Sequence, residues 1–286
     1  MRRYLAEGER AGLRYALGLP RQAPQGAAGA ALGHRAGSSL EFRDHREYQP
    51  GDDLRHIDWS AYARSDQLSV KIYREEVVPH LDVAVDASRS MALAGSAKAG
   101  AARGLAAFFA AAAANAGHAH AVWLMGAALR PVGNGGARPG LWEDFAFDHR
   151  GSPADALSQG PPRWRPRGTR VLVSDLLWPG EPAAVLRHLA DRAASAVVVQ
   201  VLAESDVEPP EGGSFRLVDS ETDEARDLYV DAAAARRYRE ALARHQQNWH
   251  RACRQAGAVL TTVVAERVLR DWDLSELVAA EVLKVL

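Results

Sequence analysis

From residue 78 onward the sequence alternates between short apolar runs rich in β-branched residues and longer segments of helical composition. The apolar runs lie at 80–85, 119–125, 170–174, 196–202 and 258–264, and the helical segments lie at 97–116, 181–193 and 232–256. Strands that are apolar on both faces and separated by helices indicate a parallel sheet covered by helices on both sides. We therefore predict an α/β fold with a doubly wound, mainly parallel sheet.

Composition narrows the class of protein. Of the 286 residues, 47% are hydrophobic and 25% are charged, and the net charge is -1. Nucleic acid and anionic membranes require concentrated cationic faces, so neither is expected as a partner. Residues 1–10 lack a signal-peptide core, and the apolar stretch 104–116 is too short to span a bilayer. Because Cys253 is the single cysteine, no disulfide forms within the chain. We expect a cytoplasmic protein without a membrane span.

The residues before position 78 have a different organisation. Residues 2–17 have helical spacing, and 19–37 read as a tether rich in Gly, Ala and Pro. Strands are predicted at 41–48, 59–63 and 68–73. These strands would form a small antiparallel sheet, and Trp59 is expected to be a core residue.

A tight turn and a short helical turn are predicted between the first two of these strands. Pro50 and Gly51 suit the central positions of a type II turn, and Asp52 or Asp53 can cap a short helical turn that follows.

We therefore divide the chain into three regions. They are an N-terminal helix and tether (1–37), a small β module (38–77) and an α/β domain (78–286). Within the last region, 214–218 and 225–230 are predicted to form a hairpin, and 274–286 a final helix.

Carboxylate and hydroxyl side chains follow two of the apolar runs. Asp86 ends one run, and Ser88 and Ser90 come two and four residues later; Asp175 ends another run. Ligands of doubly wound sheets bind beyond the carboxyl ends of the strands, and Mg²⁺ prefers hard oxygen ligands. We therefore predict a Mg²⁺ (or Mn²⁺) site. Asp86 would supply charge, Ser88 and Ser90 neutral oxygens, and Asp175 would act directly or through water.

A further hydroxyl is needed from another loop, and Ser152, just before Pro153, is the candidate. A ligand set with few carboxylates leaves the metal under-neutralised, so an open position would attract a carboxylate of a partner. The competing interpretation is local. In it, Ser88 and Ser90 cap the next helix and Asp86 hydrogen-bonds its own loop.

Two stretches resemble a known family. Residues 86–91 (DASRSM) resemble the metal-ion-dependent adhesion motif of von Willebrand factor type A domains. Residues 40–59 (LEFRDHREYQPGDDLRHIDW) are similar to the signature of the bacterial domain of unknown function 58 family, in which a von Willebrand A-like domain follows. Residues 174–176 and 215–224 also match that family. Many relatives carry transmembrane helices, so this chain resembles the soluble branch.

The resemblance implies roles for individual residues. Asp86, Ser88 and Ser90 take the first part of the metal motif, and Asp175 takes the third. Ser152 falls where the family usually has threonine, which keeps the hydroxyl group.

One position departs from the family, because Ala203 stands where Asp is frequent. That departure leaves a further alternative, in which the metal site is degenerate and the chain is a structural interaction protein.

The resemblance further implies a partner, a MoxR-type AAA+ ATPase, and a part in chaperone-like maturation of other proteins. The family brings no established catalytic reaction. We expect a non-enzymatic, metal-dependent protein-interaction module.

The upstream signature supports an alternative function. His45, His56 and Asp58 could serve a metal-dependent hydrolase. The simpler interpretation is structural, because arginines at 43, 46, 55 and 64 lie among the acids and can pair with them. The chain has neither a phosphate-binding loop ending in Gly-Lys-Ser/Thr nor a Gly-x-Ser-x-Gly elbow.

Overall fold

The computed structural model describes residues 2–18, 40–75, 79–132, 137–143, 145–159, 164–210, 212–220 and 222–286. The predicted tether at 19–37 lies outside these residues. The strands are β1 (Tyr15–Leu17), β2 (Leu40–Glu47), β3 (Ser69–Glu75), β4 (His80–Asp86), β5 (Ala119–Met125), β6 (Leu129–Pro131), β7 (Thr169–Ser174), β8 (Ser195–Leu202), β9 (Gly213–Val218), β10 (Ala225–Val230), β11 (Val259–Val264) and β12 (Leu283–Val285). The α-helices are α1 (Arg2–Gly12), α2 (Trp59–Ser65), α3 (Lys98–Asn115), α4 (Asp155–Ser158), α5 (Pro182–Ala190), α6 (Glu204–Val207), α7 (Ala232–Ala256), α8 (Ala265–Asp271) and α9 (Ser275–Ala279).

Contacts divide the chain into two compact units. The larger unit contains α1 and β1 together with the described residues from 79 to 286, and the smaller unit contains the described residues from 40 to 75. The N-terminal helix thus packs with the α/β domain, chiefly against α3.

The centre of the larger unit is a six-stranded sheet in the order β11-β8-β7-β4-β5-β6. Every neighbouring pair is parallel except β5 with β6. Alternate residues of β4 face opposite sides: Val83 and Val85 join the core beneath α3, and Ala84 joins the core beneath α5 and α7. This arrangement confirms the predicted doubly wound, mainly parallel sheet.

The sheet has its topological switch beside β4. From β4 the chain passes through α3 to β5 on one side, and it later returns to β7 on the other side. The carboxyl ends of β4 and β7 therefore border the crevice in which doubly wound folds bind their ligands.

In the smaller unit, β2 and β3 form an antiparallel pair. The predicted turn is confirmed, because Asp52 N–H donates to the Gln49 carbonyl at 3.0 Å and Gly51 has a φ of 106°. Asp53 caps the short 3₁₀ helix Leu54–His56, as predicted for one of the two aspartates.

The predicted strand at 59–63 is wrong, since these residues belong to α2. Both the N–H of Ser60 and the N–H of Ala61 donate to the Asp58 carboxylate, which starts the helix. Trp59 is 61% exposed, so its predicted place in the core is also wrong.

Both ends of the larger unit differ from the prediction. The N-terminal helix stops at Gly12 because the side-chain amide of Asn115 donates to the carbonyls of Gly12, Leu13 and Tyr15. β1 then pairs with β12. The final helix predicted at 274–286 is replaced by α9 and β12.

Further elements complete the larger unit. Helix α8 is an element that the sequence analysis did not predict. The predicted hairpin is present as β9 and β10. Among the described residues, no helix is long and apolar enough to cross a membrane.

Candidate functional site

The candidate site lies where β4 and β7 end side by side. Val85 pairs with Val173 in the parallel register, so Asp86 lies opposite Ser174, and Asp175 follows directly. Both aspartates are fully buried. The structure thus brings together the two strand-end acids that the sequence predicted to be neighbours.

Hydrogen bonds hold both oxygens of Asp86. The Ser88 N–H donates to Oδ1 at 2.8 Å, and the Ser174 hydroxyl donates to Oδ2 at 2.6 Å. Burial, followed by the negative charge of Asp175, raises the pKa of Asp86 to about 7. A bound divalent cation would favour the ionised carboxylate, since metal ligands bind in their deprotonated form.

Ser88 and Ser90 place two hydroxyl oxygens next to Asp86. Their Oγ atoms lie 2.9 Å apart. Two adjacent oxygens of an octahedral Mg²⁺ shell, each about 2.1 Å from the ion, are also about 3 Å apart. The serine pair therefore fits one edge of such a shell, and with Asp86 it supplies the hard oxygen atoms that Mg²⁺ or Mn²⁺ requires.

The competing capping interpretation can be compared with the geometry directly. Ser88 lies at the N-cap of the 3₁₀ helix Arg89–Ala92, yet its side chain makes no capping hydrogen bond. The N-cap of α3 is Ala97. The part of that interpretation that concerns Asp86 is correct, because Asp86 accepts a hydrogen bond from the Ser88 N–H of its own loop.

Ser152 lies on a loop that runs beside the serine pair. His149 forms a parallel bridge with Ser88, and its carbonyl accepts the Arg89 N–H at 3.0 Å. The Ser152 hydroxyl accepts the Ala154 N–H at 3.2 Å. The loop is thus placed at the site, and metal binding by Ser152 stays a prediction.

Asp175 is held by partners that the sequence analysis did not identify. Its Oδ2 accepts a hydrogen bond from the Lys98 ammonium at 2.9 Å, and its Oδ1 accepts the Leu177 N–H at 3.0 Å. Leu176, between them in sequence, has a φ of 60°, a conformation uncommon for a bulky residue that is enriched at functional sites. The turn fixes the direction of the Asp175 carboxylate.

An acid lies close to Ala203, where the resembling family frequently has Asp. Asp206, one helical turn later, accepts the Ala203 N–H at 2.9 Å and lies 3.1 Å from the Lys98 ammonium. A signal for this cluster was present in the sequence. Lys98 begins an Ala-rich apolar helix, where the helix dipole disfavours a cation, so an acidic partner is required.

A cleft of about 290 Å³ opens beside the loop that carries Ser88 and Ser90, called the serine loop below. It lies between that loop and the β9–β10 turn and is lined by Arg89, Ala92, Leu93, Ala94, Phe147, Val218, Asp219, Ser220 and Asp223. Arg89 and Arg150 both pair with the Asp223 carboxylate, at 3.1 and 2.9 Å. These ion pairs join the β9–β10 turn to the loops around the candidate metal site.

The acids of the upstream signature pair mainly with arginines. Arg46 donates two hydrogen bonds to Asp52, at 2.7 and 2.6 Å, and Arg55 pairs with Asp53 at 2.6 Å. The side chains of residues 43 and 44 lie outside the described residues. These contacts are the ion pairs that the structural interpretation predicts.

Asp58 is a buried acid of this region. It caps α2 and contacts His45 Nε2 at 2.7 Å, and the Lys71 ammonium lies 3.5 Å away. The hydrogen bond with His45, followed by that from Ala61, lowers the pKa of Asp58 to about 2. Among the described residues, no group of three or more His, Cys, Asp or Glu side chains is arranged to hold a metal ion.

Comparisons with known proteins find a family and relatives that match most of the chain. The profile of the family "Protein of unknown function DUF58" matches residues 44–248. Uncharacterised proteins of Mycobacterium tuberculosis and Mycobacterium bovis are each 31% identical over 270 residues, which is 87% of this chain and 82% of theirs.

Solved structures give weaker matches. BatB from Bacteroides thetaiotaomicron is 9% identical with a TM-score of 0.36, over 70% of this chain and 99% of that one. An aerotolerance-related membrane protein from Bacteroides fragilis is 12% identical with a TM-score of 0.35, over 67% of this chain and 95% of that one. At TM-scores this low, neither structure informs the fold or the function of this chain.

Proposed function

Because the chain belongs to the family of proteins of unknown function DUF58, we propose a function from the site itself. The protein is a non-enzymatic interaction module that holds Mg²⁺ or Mn²⁺ and engages an acidic residue of a partner protein. The observation that carries this proposal is the serine pair, whose oxygens lie 2.9 Å apart beside Asp86 at the switch point of the sheet.

The residues have distinct roles in this proposal. Asp86 supplies negative charge, Ser88 and Ser90 supply neutral oxygens, and Ser152 adds a hydroxyl from the neighbouring loop. The metal supplies an electrophilic centre for an incoming carboxylate. Because these ligands carry little negative charge, that centre stays attractive to an anionic side chain.

The cleft beside the serine loop gives the partner a surface to dock on. Its apolar wall includes Leu93, Phe147 and Val218. Leu93 is 42% exposed and Val218 is 58% exposed. Exposed apolar side chains next to a polar site are typical of protein-binding surfaces.

The family resemblance supplies a candidate partner. We propose that a cytoplasmic MoxR-type AAA+ ATPase docks at this surface and that the pair acts in chaperone-like maturation of other proteins.

The test combines metal binding with partner binding. Calorimetric titration with Mg²⁺ and Mn²⁺ should give saturable binding for the wild type, and affinity at least about tenfold weaker for Asp86→Ala and for the Ser88→Ala/Ser90→Ala double variant. Binding to a purified MoxR-type ATPase should require the metal, fail in chelator and fail in the same variants. Ser195→Ala, at the opposite end of the sheet, is the matched control and should behave as wild type.

Two results would overturn the proposal. Equal metal affinity in the wild type and Asp86→Ala would place the metal elsewhere. Partner binding that persists in chelator would leave an interaction protein without a working metal site, which is the degenerate alternative.

The hydrolase alternative has one observation in its favour, the 2.7 Å contact between His45 and Asp58. It requires metal-dependent turnover of a phosphoester or peptide substrate that His56→Ala abolishes without unfolding the protein. A substrate screen without such turnover removes this alternative.

A further inference from the structure

Lys98 is buried to 1% exposure at the first position of α3. A buried ammonium is strongly unfavourable unless it is paired, and the N-terminus of a helix adds further repulsion. Its two carboxylate partners are Asp175 at 2.9 Å and Asp206 at 3.1 Å. The lysine is therefore held in place by acids, one of which is a predicted metal ligand.

Both oxygens of Asp175 are engaged by groups of the protein. Oδ2 accepts the ammonium and Oδ1 accepts the Leu177 N–H. The loop cannot turn freely, because the Leu176 carbonyl contacts His245 at 2.7 Å and the Asp175 carbonyl accepts the Gln200 amide at 3.0 Å. Each oxygen keeps a second lone pair, but an ion bound directly to Asp175 would share that carboxylate with the Lys98 ammonium, and the two positive charges would repel each other.

We infer that Lys98 is a built-in cation that keeps Asp175 out of the first coordination shell of a bound divalent ion. This inference rests on the proposed function and concerns the same site. The ion is then held by Asp86, Ser88 and Ser90 with hydroxyl or water oxygens, and Asp175 acts from the second shell. Lys98 is a positioning residue, since it acts through Asp175.

This arrangement weakens metal binding and favours a partner carboxylate. A direct carboxylate ligand would strengthen the affinity for the free ion and neutralise more of its charge. With Asp175 paired to Lys98, the ion keeps more of its positive charge for an anionic group of the partner. Metal binding and partner binding are then coupled, because the bound ion attracts the partner carboxylate and the carboxylate in turn stabilises the bound ion.

The test removes the cation together with one of its two acids. Lys98→Met alone would leave the buried Asp175 and the half-buried Asp206 without a counter-ion, and such a variant risks unfolding. The double variant Lys98→Met/Asp206→Asn removes one charge of each sign and keeps the net charge. Asp206→Asn alone is its matched control, and Asp175→Asn is introduced into the wild type and into the double variant.

The readouts are calorimetric affinity for Mg²⁺ and Mn²⁺ and the metal-induced shift of the melting temperature. We expect the double variant to bind at least about tenfold more tightly than Asp206→Asn. Asp175→Asn should reverse that gain, yet it should change the wild-type affinity by less than about threefold. This dependence of one substitution on another is the signature of the pairing.

Other outcomes separate this inference from the proposed function. If Asp175→Asn weakens metal binding equally in both backgrounds, or the double variant shows no gain, the inference fails and the metal site stands. If only the double variant binds metal, Lys98 replaces the ion in the wild type, so both the inference and the proposed metal dependence fail. If no folded variant binds metal, both fail.

Discussion

The carboxyl group of Asp86 is fully buried, and burial together with the charge of Asp175 raises its pKa to about 7. In the unfolded chain an aspartate has a pKa of about 4. Between these values the unfolded chain is ionised and the folded protein keeps its proton, so the stability contributed by this group falls as pH rises through the window. The loss is complete above the folded pKa.

We predict that Asp86→Asn removes this pH dependence. In chelator, the variant should melt several degrees above the wild type near pH 8 and no higher than the wild type near pH 4, because asparagine never carries the buried charge. Thermal unfolding at both pH values measures the difference, with Ser195→Ala as a control that follows the wild type. Parallel pH profiles for wild type and Asp86→Asn would contradict the raised pKa.

At the scale of single residues, the acids and hydroxyls that lie at one edge of the sheet could be identified from the sequence. Asp86 and Asp175 are recognisable because each directly follows an apolar run. Ser174, Lys98 and Asp206 were not assigned roles at the site, because their contacts depend on strand register and on helix placement. Neither of these follows from local spacing.

At the scale of elements, the contact of α1 with α3 depends on glycine. A Cβ on Gly8 would collide with the carbonyl oxygen of Gly104, which is a backbone atom of the packed helix α3 and cannot move aside as a side chain can. Gly100 lies in the same helix pair, but a Cβ there would meet the ring of Tyr4 at 2.9 Å, which is a side chain that can move. The two positions form a matched pair of helical Gly→Ala substitutions.

We predict that Gly8→Ala lowers the free energy of unfolding by about 1–3 kcal/mol or more, because rigid backbones must separate. Gly100→Ala should cost less, since the gain in helix propensity of about 1 kcal/mol offsets the shift of Tyr4. Denaturant unfolding measures both variants. Equal losses would show that α1 and α3 do not pack through backbone contact at Gly8.

Elements whose residues show a buried apolar pattern were predicted well. Elements that depend on a capping hydrogen bond were predicted poorly. The five parallel strands of the central sheet follow from apolar runs, whereas β6 was not predicted, and α7 begins and ends as its amphipathic pattern indicates. Trp59 and Tyr62 have high strand propensity, which suggested a strand at 59–63. The two hydrogen bonds that Asp58 accepts and the ring contact of Trp59 with Tyr62 stabilise a helix instead.

At the scale of the whole molecule, the doubly wound order could be predicted because each parallel strand must be covered on both faces. The pairing of β1 with β12 could not be predicted. β1 and β12 are three residues each, and they meet because α1 and α9 bring them together. Pairing between segments so distant in the sequence has no local signal.

The pairing of β1 with β12 joins the two ends of the larger unit. Leu283 is 1% exposed in the core that also contains Leu5 of α1, whereas Val285 is 66% exposed. We predict that Leu283→Ala lowers stability by about 2–5 kcal/mol, and that Val285→Ala changes it by no more than about 0.5 kcal/mol. Hydrogen exchange should also accelerate in α1 of the Leu283→Ala variant, because the helix loses the strand pair that anchors its end. Faster exchange in β12 alone, with α1 still protected, would show that α3 holds the N-terminal helix without help from the C-terminal strand.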